Sequence, residues 1–289
     1  MFCVQATACA MRAILLKGEA HMAKLRFVQG SSGAPASASL NNTVRTVRAT
    51  YETDAEIVRA MLPRPLVPAA RPEVFLQFAH VAMHVTPETT VEIGALTLGL
   101  MCDYEGTPGG YVFHMAMEGE SVVTSGRERF GEPKKIAETT FEKDGNHVRA
   151  TCTRHGITYF EVDGTIGEDQ GKPEPFEEYF YCYKGLPSIS TPGEFDGDVF
   201  LTRLNWKRNY SLKRRFDGQI RFHESAYDPL VDVPIRRIVS LDYVEGATNT
   251  SGQLLRTVPS EFIAPFWVQR NDVPSNPGID VPLIGSKAA

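Results

Sequence analysis

The chain has little of what would build a disulfide-stapled, metal-built or membrane-embedded protein. Its 289 residues include five cysteines, Cys3, Cys9, Cys102, Cys152 and Cys182, odd in number, dispersed and without close paired spacing. Such a set gives neither a disulfide framework nor a zinc site, and the default compartment is a reducing cytoplasm. No apolar run approaches the ~20 residues of a membrane-spanning helix. Basic charge is not in excess either. The net charge of −5 leaves no electrostatic footprint for nucleic acid or for an anionic membrane. His80 and His84 stand four apart, but a zincin needs His-Glu-x-x-His on a helix. Here the run His80-Val81-Ala82-Met83-His84 reads as strand, and both histidines are expected to be structural. No internal repeat and no clear linker interrupt the chain.

The apolar content is ordinary, enough for one large domain or two small ones with ample core. Residues 1–40 are expected to be a flexible lead-in or presequence: Met1 to Leu16 is apolar-leaning, no acidic residue precedes Glu19, and Ser31 to Ser39 is rich in Ser, Ala and Gly. The domain is placed at 41–275 and a tail at 276–289. One helix is well signalled, because Thr53-Asp54-Ala55-Glu56 fits a capping box and Ile57, Val58, Ala60, Met61 and Leu62 form an apolar face before Pro63. A weaker helical pattern covers Ser260 to Val268. Most other runs read as strands: Val74 to His84, Val91 to Met101, Val122 to Ser125, His147 to Val162, Val199 to Trp206 and Gln219 to His223. Asp144-Gly145 and Asp163-Gly164 read as turns. The aromatic run Tyr179-Phe180-Tyr181-Cys182-Tyr183 suits a core or a subunit interface. The expected class is β-dominated α+β, with few helices and a closed or nearly closed barrel.

The most informative feature is Lys134-Lys135, inside Gly126-Arg127-Glu128-Arg129-Phe130-Gly131-Glu132-Pro133-Lys134-Lys135. A lysine attacks a carbonyl only when neutral, and at an ordinary pKa of ~10.4 about one in 2,500 is neutral at pH 7. Moving it to ~7 needs roughly 4–5 kcal/mol against the ammonium. Apolar burial supplies that, and so does a second cation held alongside. Pro133 suits the first turn of a helix that would fix both lysines.

Gly126-Arg127-Glu128 followed by Pro133-Lys134-Lys135 resembles the signature of the acetoacetate decarboxylase family, and colinear pieces extend the resemblance over about residues 40–270. Tyr51-Glu52-Thr53-Asp54 leading to Leu62-Pro63-Arg64-Pro65-Leu66 is similar to the family's early helix and its exit. Val81-Ala82-Met83-His84 and His114-Met115 resemble two strand motifs. Asp228-Pro229-Leu230-Val231-Asp232-Val233-Pro234-Ile235 with Ile238-Val239-Ser240 resembles its C-terminal signature. The resemblance implies an antiparallel, cone-like closed β-barrel with the lysine inside, assembled into homo-oligomers and acting on a small keto acid.

It further implies Lys134 as the Schiff-base former and Lys135 as its cationic neighbour. The iminium is then the electron sink, so the chemistry calls for no metal or organic cofactor. Glu92-Ile93-Gly94 matches the family's Glu-x-Gly, which makes Glu92 the expected cavity carboxylate, with an exposed strand-end glutamate as the alternative. Arg127 suits a substrate carboxylate, or with Glu128 buttresses the lysine loop. Tyr243 and Glu245 are weaker proton-donor candidates. Two positions depart from the decarboxylating pattern: Ala79 stands where a second glutamate is expected and Val44 where an arginine is, with Arg45 and Arg48 nearby but out of register. Three readings stay open: decarboxylation of a β-keto acid, an aldolase-dehydratase reaction of pyruvate with an aldehyde, and a non-catalytic binding barrel.

Overall fold

The computed structural model describes residues 42–86, 88–274 and 276–283. The expected lead-in at 1–40 and most of the last few tail residues lie outside them. All described residues belong to one compact unit.

In chain order the elements are β1 (Asn42–Glu52), α1 (Ala55–Met61), β2 (Val67–Pro68), β3 (Glu73–Thr86), β4 (Thr89–Tyr104), β5 (Thr107–Met117), α2 (Glu120–Phe130), β6 (Lys134–Ile136), β7 (Glu138–Asp144), β8 (His147–Arg154), β9 (Ile157–Asp169), β10 (Phe176–Lys184), β11 (Val199–Phe222), β12 (Arg237–Val258) and α3 (Ala264–Trp267). Seven of the strands pair in the order β10-β5-β4-β3-β1-β12-β11, and β10 pairs again with β11, so the sheet closes into a ring. Beyond it the far half of β11 carries β9, then β8 and β7. Pairing is antiparallel except at β5–β10 and β5–β6. The β-dominated class with few helices is therefore correct.

The ring has two apolar faces because strand side chains alternate. Phe75 on β3 touches Phe180 on β10 at 4.7 Å although β4 and β5 stand between them around the ring, so that face is the inside. It gathers Ile93, Ala95, Val112, Met115, Met117, Val123 and Leu204. The outer face packs Val47, Leu96, Ala116 and Phe78 with Phe160 of β9, whose ring stacks on Phe78 at 5.6 Å. The expected double-sided burial of β4 holds from Ile93 to Leu100.

Several local readings are corrected. Val122 to Ser125 is not a strand but the start of α2, where four β-branched or small residues are carried by a helix that closes at Gly131 in the left-handed region (φ 76°). Pro133 does not open a helix. The lysines after it form strand β6, whose backbone finds parallel partners on β5, with Met115 opposite Lys134. Asp163-Gly164 is not a turn either. It lies within β9, and the chain reverses instead at Gly156 (φ 75°). Helix α1 forms as expected, but without its capping box: Asp54 Oδ2 accepts from Arg236 Nε at 3.0 Å instead, and Thr53 Oγ1 is buried without a partner. The C-terminal helical pattern resolves into the short α3 between two 3-10 turns.

Candidate active site

The lysine loop is held from both sides. At the end of α2 the Gly131 N–H donates to Arg127 O at 3.2 Å and the Glu132 N–H to Gly126 O at 3.3 Å. This double bond pattern reverses the chain at a left-handed glycine. The reversal sends Glu132 and Lys134 back beneath the helix they have just left. A Cβ on Gly126 would lie 2.3 Å from Glu132 Oε2 and 2.5 Å from Lys134 Nζ. The glycine of Gly-Arg-Glu thus leaves room for the buried pair, at a cost of about 1 kcal/mol of helix propensity.

Lys134 and Lys135 do not sit side by side. Successive strand residues face opposite ways, and β6 turns Lys134 inward, in a row with Met115, Thr97, Gln77 and Arg48 around the ring. Its side chain is 12% exposed, and its Nζ lies 2.9 Å from Glu132 Oε2, itself on a side chain only 4% exposed. That contact is an ion pair rather than a directed hydrogen bond, since Glu132 Oε2 has no hydrogen-bond donor aimed at it. Nζ also donates to Val122 O at 3.4 Å.

Lys135 points to the outer face, where its Nζ donates to Asp228 Oδ1 at 3.0 Å and Tyr227 O at 3.1 Å and lies 3.6 Å from Asp272. Arg154 joins the same pair of carboxylates, at 2.6 Å from Asp228 and 2.8 Å from Asp272. Burial would raise the Asp228 carboxyl, but the Lys135 and Arg154 cations outweigh it and hold it below its ordinary value. His114, 3.8 Å from Asp228, is pushed down to about 3 by burial and is neutral at pH 7. The expected role of Lys135 as a cation beside the nucleophile is therefore corrected. It neutralises buried acids on the far side of the strand.

The other expected residues divide similarly. Glu92 is not a buried cavity carboxylate: its side chain is 63% exposed, just ahead of the buried part of β4, and its near neighbour is His80 Nε2 at 3.6 Å. Arg127 buttresses the loop, donating from Nη1 to Lys134 O at 2.9 Å and Arg270 O at 2.8 Å. Glu128 is exposed on α2 and joins none of these contacts. Tyr243 packs on the outer face and donates to Glu245, away from Lys134. Ala79 and Val44 do face inward, in the rows that end at Met117 and Ile93, so the positions expected to hold an acid and an arginine are apolar inside the ring.

Sequence reasoning missed four inner-face groups. Glu132 stands in the quoted Gly126 to Lys135 segment with no role assigned to it, although it sits two residues before the lysine. Arg48 was set aside as out of register, yet four residues from Val44 is an even number and returns a strand side chain to the same face. Glu178 and Arg208 carried no sequence signal beyond alternation along β10 and β11.

The model of the family described as acetoacetate decarboxylase (ADC) matches residues 28–257. An acetoacetate decarboxylase of Burkholderia vietnamiensis is 33% identical over 205 residues, covering 68% of this chain and 78% of its own. In fold, the chain is similar to the crystal structure of acetoacetate decarboxylase from Legionella pneumophila, at 18% identity and a TM-score of 0.64 over 77% of this chain and 89% of that one. It is also similar to the enduracididine biosynthesis enzyme MppR complexed with pyruvate, at 16% identity and a TM-score of 0.63 over 75% and 90%. With the Gly-Arg-Glu and Pro-Lys-Lys motifs brought together around the largely buried Lys134, the chain belongs to the acetoacetate decarboxylase family.

Proposed function

We propose that the protein is a lyase that decarboxylates a small β-keto acid through a Schiff base on Lys134. The observation that carries this reading is the largely buried Lys134 inside the ring, with the Glu132 carboxylate 2.9 Å from its Nζ as a proton acceptor. Glu132 takes a proton from Nζ, and the freed amine attacks the ketone carbon. Loss of water gives an iminium. The bond to the carboxylate then breaks, CO2 leaves, and the electron pair moves into the iminium to form an enamine. The proton taken from Nζ leaves with the water, so Glu132 is ionised again; a proton drawn from solvent, relayed through Glu132, adds to the enamine carbon to give the product iminium, and water then releases the ketone and restores the Lys134 ammonium.

A second reading keeps Lys134 but condenses pyruvate with an aldehyde and dehydrates the product. Apolar Ala79 and Val44 on the inner face favour it, as does the likeness in fold to an enzyme solved with pyruvate. Borohydride reduction in the presence of acetoacetate or pyruvate, followed by peptide mass mapping, tests both. An adduct on the Lys134 peptide that is absent from Lys134→Ala and slowed at least about tenfold in Glu132→Gln is expected. The ligand that traps faster decides between the readings, and no adduct with either ligand in folded protein refutes the Schiff base.

A further inference from the structure

Inside the ring, on the row that contains Lys134, a second charged cluster lies outside the mechanism above. Arg48 on β1 pairs with Glu178 on β10, and its Nη1 donates to Tyr210 Oη at 2.9 Å. Arg208 on β11 donates from Nε to the other oxygen of Glu178 at 2.8 Å and from Nη2 to Gln77 Oε1 at 3.0 Å. Arg208 is 5% exposed and its guanidinium lies over the Trp206 ring at 4.4 Å. Burial would raise Glu178, but the two arginines outweigh it and hold the carboxyl below its ordinary value, so it stays ionised. Two cations therefore share one anion. Among the described residues no second carboxylate lies within 4.0 Å of either guanidinium. The nearby Trp206 Nε1 is buried with no acceptor. Gln77, two strands beyond Met115 in the row, ties this cluster to the level of Lys134. A groove of about 360 Å³ where β10 begins has Phe176, Arg208 and Thr248 in its wall, so the Arg208 end of the cluster borders it.

A buried charge left in excess is costly unless an anion completes it. We propose that Arg48 and Arg208 form an anion subsite that holds a carboxylate of the substrate while its carbonyl reaches Lys134. This inference rests on the Lys134 reading and sharpens it. Charge-assisted hydrogen bonds hold a localised carboxylate, and their strength falls as that charge leaves as CO2. The carboxylate gripped by two guanidiniums is thus one that survives the reaction. The substrate is an oxo acid with a retained carboxylate: a keto diacid for the decarboxylase reading, or pyruvate itself for the aldolase reading.

The test uses 4-oxopentanoate, which has a ketone and a carboxylate it does not lose, beside its uncharged methyl ester. Borohydride trapping on the Lys134 peptide is measured for wild type, Arg48→Gln and Arg208→Gln. Wild type is expected to trap the acid faster than the ester, and either variant to lose about 10- to 100-fold with the acid beyond any loss with the ester. Equal losses for acid and ester, or none, would overturn the subsite. If wild type traps neither compound, the Schiff-base reading fails, and a separate arm then decides the subsite. Glutarate, which has no ketone, should raise the wild-type melting temperature and not that of Arg48→Gln. Should Arg208→Gln not fold, Arg48→Gln carries both arms, its side chain being nearer the surface. A glutarate shift retained in Arg48→Gln would also count against the proposal.

Discussion

Lys135→Met separates the two lysines more sharply than any change at Lys134. The Lys135 side chain is 7% exposed and Asp228, its main partner, is fully buried. Removing one member of a buried ion pair costs about 3–5 kcal/mol, because the other charge is left uncompensated. Here Arg154 remains 2.6 Å from Asp228, so the lower end, about 3 kcal/mol, is expected. For a chain of this size that lowers the melting temperature by about 6–12 °C. The chemistry should survive, since Lys135 projects from the opposite face of β6 and shares no partner with Lys134. The assay is differential scanning fluorimetry together with carbonyl-dependent borohydride trapping on the Lys134 peptide, at a temperature where the variant is folded. Trapping within about twofold of wild type is predicted. A folded Lys135→Met that loses trapping a hundredfold would refute the separation of the two faces and restore Lys135 as the cation that activates its neighbour.

Gly126→Ala should do the reverse. The added methyl meets Glu132 Oε2 and Lys134 Nζ below 2.6 Å, while overpacking of about 1–3 kcal/mol is offset by about 1 kcal/mol of helix propensity. Melting should move little, and Lys134 trapping should fall about 100-fold, as for a misplaced reacting group. Acid should unfold the protein in two stages. His114, pushed down to about 3 by burial, is neutral when folded and protonates at about 6.5 when unfolded, so its contribution is lost as pH falls from ~6.5 toward 3. Asp228 and Asp272, the latter held at about 2, then lose theirs below the ordinary carboxylate pKa of ~3.9. Denaturant titrations across pH 2–7 should show His114→Gln with a flatter upper limb, and an unchanged limb would remove His114 from the account. Glu92→Gln should leave trapping within about twofold, since the side chain is 63% exposed at the strand end.

The parts of the fold that could be read in advance are those set by neighbours in sequence. Helix α1 follows from an apolar face between Asp54 and Pro63, and β4 from a largely apolar run with little alternation. The early part of helix α2 reads as strand because Val122, Val123 and Thr124 suit a strand when nothing else decides. What decided was the left-handed Gly131 and the docking of Val123 into the inner core. The doubling of lysines after Pro133 was legible, but which lysine faces which core was not.

By itself the sequence determined the family, through short motifs in order, and the β-dominated class, through alternation and turn residues, and it singled out the lysine on which the proposed chemistry rests. The tertiary structure alone decided the company each charge keeps. Arg48 meets Glu178 across 130 residues of chain and Gln77 meets Arg208 across 131. No local pattern encodes such pairs, because they exist only once the ring closes. The same closure turns Lys134 toward Glu132 and Lys135 toward Asp228. The two are adjacent in sequence and on opposite sides of a sheet, and a strand's period of two becomes chemistry only when one side is made the inside.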